Sequence, residues 1–147
     1  MATKIAAAKI AAWSGVRTII AAAERADVLD DALAGVPGVG TVVQPRSHGI
    51  SARKVWIAFA VGSSGRLHVD DGARRALTER NSSLLAAGVT KVEGDFYVGD
   101  AVEVLDHDGR VIAKGLTRID AASLRSPGAE VPSLVIHRDD LVAGLPG

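Results

Sequence analysis

The chain has 147 residues, a length for one domain or two small ones; its 48% hydrophobic content supports a packed core and excludes wholesale disorder. Only 3% is aromatic and there is no cysteine, so the core must be built from small and β-branched side chains, and disulfide or thiol chemistry is excluded. Lys plus Arg and Asp plus Glu balance at 17 each, yet residues 1–63 carry seven basic against four acidic residues and the remainder ten against thirteen, so the second half is net acidic and a poor match to a phosphate backbone.

Thr3–Ser14 reads as an Ala-rich helix stopped by Gly15. Val16–Ala22 is a short apolar run of the kind found in a buried parallel strand, and helix followed by strand is an α/β signature. Asp27–Ala34 is a short helix closed by Gly35, Val36–Gly40 a breaker and Thr41–Val43 a short strand. Pro45–Arg53 is loop-like, and Lys54–Val61 (KVWIAFAV) has the texture of an apolar strand. Gly62–Gly65 (GSSG) is small, polar and flexible, as a linker should be.

Beyond it Arg66–Val69 is a strand, and Asp70 or Asp71 caps a helix running to about Glu79 with Ala73, Ala76 and Leu77 inward. Asn81–Ser83 ends that helix, and Leu84 and Leu85 plug the core. Three strands follow, Val89–Glu93, Ala101–Leu105 and Val111–Gly115; Asp106–Gly109 (DHDG) is a hairpin turn with Gly109 at positive φ. In the second strand Val102 and Val104 alternate with Glu103, one face dry and the other wet. Ala121–Arg125 is a helical turn, Ser126–Pro132 a loop, Leu134–His137 a closing strand and Arg138–Val142 a terminal turn.

At the first helix Thr3 occupies the expected N-cap. Its first turn carries Lys4 and no acid to answer the positive end of the helix dipole. Free amides, a hydroxyl and an ammonium converging on one point suit an anion such as a phosphate. Met1–Lys4 (MATK) and the following IAAAKIAAWSGVRTIIAAA resemble the end of the nucleotide site, and the helix and final sheet strand after it, in amino-acid kinases of the glutamate 5-kinase type. In that family a glycine-rich turn runs into a Met-x-Thr-Lys stretch that binds ATP phosphates. The resemblance implies that Met1, Ala2, Thr3 and Lys4 close the ATP site, with Lys4 beside the transferring phosphate, where positive charge stabilises a phosphoryl transition state. The family's preceding glycines, its N-terminal lysine, its glutamate-binding loops and its catalytic aspartates have no counterpart in this sequence. The chain is therefore expected to be a C-terminal portion of such a kinase and inactive alone; ATP and Mg²⁺ belong to the parent family, and none is expected bound to this fragment.

The second half resembles a PUA domain of the version fused to these kinases. The matching pieces, in order, are Val69–Gly72 (VDDG), Asn81–Leu85 (NSSLL), Gly88–Gly94 (GVTKVEG), Phe96–Gly99 (FYVG), Gly109–Gly115 and His137–Leu141 (HRDDL). PUA domains of RNA enzymes bind RNA in a groove beside the helix and an adjacent strand, so the resemblance offers Arg74, Arg75, Arg80 and Lys91 as RNA contacts. Asp70, Asp71, Glu79 and Glu93 are interleaved with them and stacking aromatics are scarce, so solvation of a charged face is the favoured reading. A free-standing PUA-type RNA-binding module is the alternative function.

His48, His68, His107 and His137 are scattered without metal-ligand spacing, so no metal site is expected. His137–Asp139 (HRD) lacks the sequence that follows in a protein-kinase catalytic loop, and Asp139 or Asp140 is read as a cap. His48 and Ser51 lack a nucleophile elbow; Arg46, Arg53 and Lys54 beside them read as a solvated loop. Trp13 and Trp56 both lie in apolar runs and read as core. The expected architecture is an α/β remnant of an amino-acid kinase fold over 1–62, a linker at 63–65, and a small mixed β-barrel of PUA type with short helices over 66–147. The first part is too small to cover its own strands, so a homo-oligomer or a missing kinase portion is expected to cover it. Lys4 and Lys9 interrupt the apolar N-terminus and no run reaches the ~18 residues of a membrane span, so a cytoplasmic location is expected.

Overall fold

The computed structural model describes residues 1–46, 49–126 and 133–145, and its contacts divide the chain into two compact units, Met1–Val55 and Trp56–Gly147.

The first unit begins with α1, Ala2–Trp13, which buries Ala8, Ala12 and Trp13. Its helix-capping residue is Met1, not Thr3: the first helical bond is Ile5 N–H to the Met1 carbonyl at 3.2 Å, which places Thr3 inside the first turn. At the other end, Arg46 N–H donates to the Ala12 carbonyl and Ile50 N–H to the Trp13 carbonyl, both at 3.0 Å. These bonds satisfy carbonyls that a helix end leaves without partners. The Arg46 guanidinium lies 3.9 Å from the centre of the Trp13 ring, a cation–π contact.

After α1 come β1 (Thr18–Ala21), α2 (Val28–Ala34, closed by Gly35 at φ 74) and β2 (Gly40–Val43). β1 and β2 pair antiparallel, Thr18 opposite Val43 and Ala21 opposite Gly40, and all four residues of β1 are half-buried. The expected buried parallel strand is thus corrected. An apolar run reports burial tendency but not the direction of its partner, and here the chain returns through α2 to lie against β1.

The Lys54–Val61 run is also not a strand. It lies mostly within α3, Ala52–Phe59. Ser51 starts the helix: its hydroxyl accepts from Lys54 N–H at 3.4 Å and its carbonyl from Val55 N–H at 3.0 Å. Cap residues favour this geometry over a strand end. Helical winding separates neighbours, so Ile57 is fully buried while Trp56 is 49% exposed, against the expectation that both tryptophans are core.

The second unit is built on a five-stranded mixed sheet of order β5-β3-β6-β7-β9. Its elements are β3 (Gly65–Val69), α4 (Asp71–Glu79), β4 (Leu84–Leu85), a 3₁₀ turn at Ala86–Gly88, β5 (Val89–Gly94), β6 (Ala101–Leu105), β7 (Val111–Leu116), α5 (Ala121–Arg125), β8 (Leu134–Ile136), a 3₁₀ turn at Arg138–Asp140 and β9 (Leu141–Ala143). β3 pairs antiparallel with β5 and parallel with β6; β4 and β8 form a separate antiparallel pair. The core gathers Leu67, Leu77, Phe96, Val102, Val104, Val135 and Leu141, all nearly inaccessible.

Several local expectations change here. Leu84 plugs the core but Leu85 is exposed. β6 is not half wet: Ala101 and Leu105 are buried with Val102 and Val104, and only Glu103 is half-buried. Arg138–Asp140 is the expected turn, but Leu141–Ala143 goes on to pair with β7, a strand too short to show a period. His137, not Asp139 or Asp140, caps that turn, its Nδ1 accepting from Asp139 N–H at 3.2 Å. The Ser126–Pro132 loop lies, after Ser126, outside the described residues.

Close approach explains the glycine in β3. A Cβ on Gly65 would stand 2.4 Å from the Phe96 ring and 2.6 Å from the Glu93 carbonyl oxygen, whereas one on Gly62 would meet nothing within 4 Å. Gly65→Ala is therefore expected to destabilise the protein by about 1–3 kcal/mol through overpacking, and Gly62→Ala to stay within about 0.5 kcal/mol. Urea denaturation of the two variants checks this.

Candidate functional site

The start of α1 has the makings of an anion site. No acidic residue sits in its first turn and Met1 offers no side-chain cap. The amides of Ala2, Thr3 and Lys4 precede the first helical hydrogen bond and so have no partner within the helix. Thr3 and Lys4 are both exposed. The donor set is amides, a hydroxyl and an ammonium, which fits phosphate oxygens and not a bare cation.

The four basic residues offered as RNA contacts, Arg74, Arg75, Arg80 and Lys91, are not gathered into one site. Asp70 caps α4, its Oδ1 accepting from Ala73 N–H at 2.7 Å. Arg74 Nε lies 3.6 Å from Asp71 Oδ1, and Arg75 Nε donates to the Asp71 carbonyl at 3.3 Å. Lys91 Nζ lies 2.5 Å from Glu93 Oε1. Arg80 is the C-terminal flanking residue of α4 and exposed. The groove beside α4, about 430 Å³, is lined by Asp70, Gly72, Ala73, Ala76, Ser82, Ser83, Leu85, Ala87 and Gly88, and by none of the four cations. Lys91 lines a different hollow, with Arg125 and Leu124. Arg125 is itself engaged, by Asp95 at 3.0 Å and the Gly94 carbonyl.

The histidines are equally dispersed. His107 lies 3.4 Å from Asp71 and 3.2 Å from Asp108. His68 Nε2 lies 3.2 Å from Glu93 Oε1, yet without hydrogen-bond geometry, so this buried nitrogen has no hydrogen-bond partner. His48 lies outside the described residues. Among the described residues no three His, Asp or Glu side chains are grouped to hold a metal ion, and no helix is long and apolar enough to cross a membrane.

A second, more polar cleft escaped the sequence reading. It measures about 510 Å³ and is lined by Ser63, Ser64, Gly65, Arg66, Glu93, Gly94, Glu103 and Lys114. Arg66 Nε donates to Glu103 Oε2 at 3.1 Å. Lys114 Nζ donates to the Val61 carbonyl at 2.5 Å, and its burial pushes the ammonium below its ordinary range against the opposing pull of Glu103. The only signal in the sequence was a charge inside each of four apolar strands; which charges meet depends on register.

Residues 65–130 match the PUA domain family model. The chain is 45% identical over 99% of its length to the glutamate 5-kinase of Frankia casuarinae, of which it covers 42%, and 41% identical over 97% to that of Mycolicibacterium vanbaalenii, of which it covers 40%. The chain thus spans about two-fifths of the length of these relatives, and it fits a C-terminal portion of a glutamate 5-kinase. A crystal structure of a PUA domain from Aeropyrum pernix in a tartrate complex is similar at 30% identity with a TM-score of 0.46, covering 58% of this chain and 48% of that one.

The Lys91 ammonium, which hydrogen-bonds Glu93, holds its carboxyl below the ordinary value of 4.5, helped by His68. A depressed carboxyl contributes stability that is complete above its unfolded value and is lost as pH falls through the lower folded value. Lys91→Ala should raise the Glu93 titration midpoint towards 4.5 and remove part of that acid-side stability. Carbon-detected NMR titration of Glu93 reads the first effect, and acid denaturation the second.

Proposed function

We propose that this chain is the C-terminal part of an enzyme that phosphorylates the γ-carboxylate of L-glutamate with ATP and Mg²⁺, in the first step of L-proline biosynthesis. One observation carries the reading: identity of 45% to a glutamate 5-kinase runs through 99% of the chain, beginning with the helix whose first turn carries Lys4 and no acid. In this reading the 1–62 segment is the end of the amino-acid kinase domain and closes its nucleotide site. ATP, when bound there, supplies the phosphoryl group. The amides of Ala2, Thr3 and Lys4 receive phosphate oxygens at the helix start, and the Lys4 ammonium neutralises charge on them. No protein cage for Mg²⁺ is needed, since that ion is commonly held by one or two carboxylates together with substrate phosphates. The residues that bind glutamate belong to the part of the kinase this chain does not match, and a homo-oligomer or that part covers the first unit. The chain by itself is inactive, and it resides in the cytoplasm.

The hydroxamate assay for γ-glutamyl phosphate, run with ATP, Mg²⁺ and glutamate, should give no turnover above blank for this chain; turnover would overturn the inactivity. In a complete kinase carrying this sequence, Lys4→Met should lower kcat by about 10²–10³-fold, the range for removing one electrostatic stabiliser of a transition state. An unchanged kcat would remove Lys4 from the site.

The PUA match supports a second reading, an RNA-binding module contacting RNA through Arg74, Arg75, Arg80 and Lys91. The pairing of Arg74 and Lys91 with acids and the absence of all four cations from the groove beside α4 weigh against it. Fluorescence anisotropy with a labelled RNA stem-loop at about 0.15 M salt, where non-specific affinities are weaker than about 1 μM, should show no tighter binding; nanomolar binding would make RNA recognition the function.

A further inference from the structure

His137 stands where the chain passes from β8 to β9, and one of its ring nitrogens faces two partners that it cannot serve together. Nδ1 accepts a hydrogen bond from Asp139 N–H at 3.2 Å and lies 3.4 Å from Asp139 Oδ2. A nitrogen that accepts must be bare, whereas one that serves a carboxylate must carry a proton. In the neutral ring the lone pair on Nδ1 caps the 3₁₀ turn at Arg138–Asp140 and the proton sits on Nε2. In the imidazolium both nitrogens are donors. The Asp139 amide then loses its acceptor, and Nδ1 turns to the Asp139 carboxylate.

The capped turn is what delivers the chain to β9. Arg138 N–H donates to Ser83 Oγ at 3.0 Å, just before β4, and Asp140 N–H donates to the His137 carbonyl at 2.9 Å. Directly after the turn Leu141 and Val142 are almost wholly buried, and Leu141 is the ladder partner of Gly115 on β7. The fit there is close, since a Cβ on Gly115 would stand 2.8 Å from the Asp140 carbonyl oxygen. β9 itself is an edge strand of three residues, and just beyond it Gly144 N–H donates to the Ile112 carbonyl at 2.9 Å. So short an edge strand depends on how its entrance is held.

We propose that His137 is a proton-sensitive latch on β9: bare Nδ1 holds the turn that seats the strand, and protonation releases it. The ion pair gained in acid does not replace the cap. Asp139 keeps 74% of its side chain exposed, and an ion pair in water contributes little. Arg138 Nε already lies 3.7 Å from the same carboxylate. The other acid of the turn, Asp140, has Arg118 at 3.7 Å, reaching in from the segment after β7. The ring is 33% exposed, so solvent protons reach it. Histidine side chains change charge between about pH 5 and 8; the cap is present on the alkaline side of that range and is lost as pH falls. This latch belongs to the second unit alone and does not depend on the kinase reading.

Amide hydrogen exchange of the whole chain at about pH 7.5 and about pH 5.5 tests it, each rate divided by its intrinsic value and referred to the Val104 amide in the sheet. Protection of the Asp139 and Gly144 amides should fall about fivefold at the lower pH, the worth of one ordinary hydrogen bond. His137→Asn supplies a capping oxygen that does not titrate, so its protection should be the same at both pH values. His137→Ala has no acceptor and should show the lower protection at both. His68 and His107 remain in all three proteins, so the comparison isolates His137. Circular dichroism checks folding; if His137→Ala does not fold, the chain itself and His137→Asn decide between them. Protection in the unaltered chain that ignores pH overturns the latch. So does an equal fall in His137→Asn, or an Asp139 amide as well protected in folded His137→Ala as in the unaltered chain at the higher pH.

Discussion

The parallel pairing of β3 with β6 is the constraint from which the second unit follows. Parallel neighbours cannot be joined by a tight hairpin, so the chain must make a long excursion between Val69 and Ala101 before it can lie beside β3 in the same direction. Everything between is placed by that requirement: α4 lies over the core with Leu77 inward, β4 steps aside to pair with β8, and β5 comes back antiparallel on the far side of β3. The crossover ends in a tight turn closed by Asp100 N–H to the Tyr97 carbonyl at 3.1 Å, and Gly99 N–H to the Thr117 carbonyl at 2.7 Å and Thr117 N–H to the Asp100 carbonyl at 2.9 Å tie that turn to the residue after β7. Just before it Phe96 folds under the sheet, and the absence of a side chain on Gly65 is what gives the ring its place. A strand flanked on both sides buries alternate residues deeply; Leu67 and Val69 are almost wholly removed from water.

Much of this was legible because local chemistry and the fold agree. Asp70, one of the two caps the sequence offered, caps α4; Asp120, which the sequence reading did not name, caps α5 in the same way, and its carboxylate, receiving the Ser123 N–H and hydroxyl, is held below its ordinary range. The turn around Gly109 is set by a φ of 77 that glycine accepts readily. What was misread are the places where a short apolar run has no local arbiter. KVWIAFAV has the β-branched and aromatic texture of a strand, and only the Ser51 cap pointed to a helix. VRTIIAA gave no sign of its partner's direction, and Leu141–Ala143 is too short to have a period.

The candidate sites divide the same way. Lys4 and its neighbours were legible as an anion site because a helix start without an acid is a local feature. That Arg74 and Lys91 are each answered by an acid was visible as interleaved charge, but that the groove beside α4 contains no cation was not, since it depends on which way each side chain turns. The polar cleft lined by Arg66, Glu93, Glu103 and Lys114 is wholly tertiary: these residues are spread from β5 to β7 and are brought together only by register.

β8 and β9 bear on where this module ends. The stretch recognisable as a PUA domain closes at residue 130, yet Val135, Ile136, Leu141 and Val142 beyond it are buried, and Ile136 is the ladder partner of Leu84. Gly115 is bare because Ile136 and the Asp140 carbonyl crowd it. The cooperative unit therefore extends at least to Ala143. A nascent chain released at 130 would hold the family's recognisable sequence but lack Val135, Ile136 and Leu141 of its core.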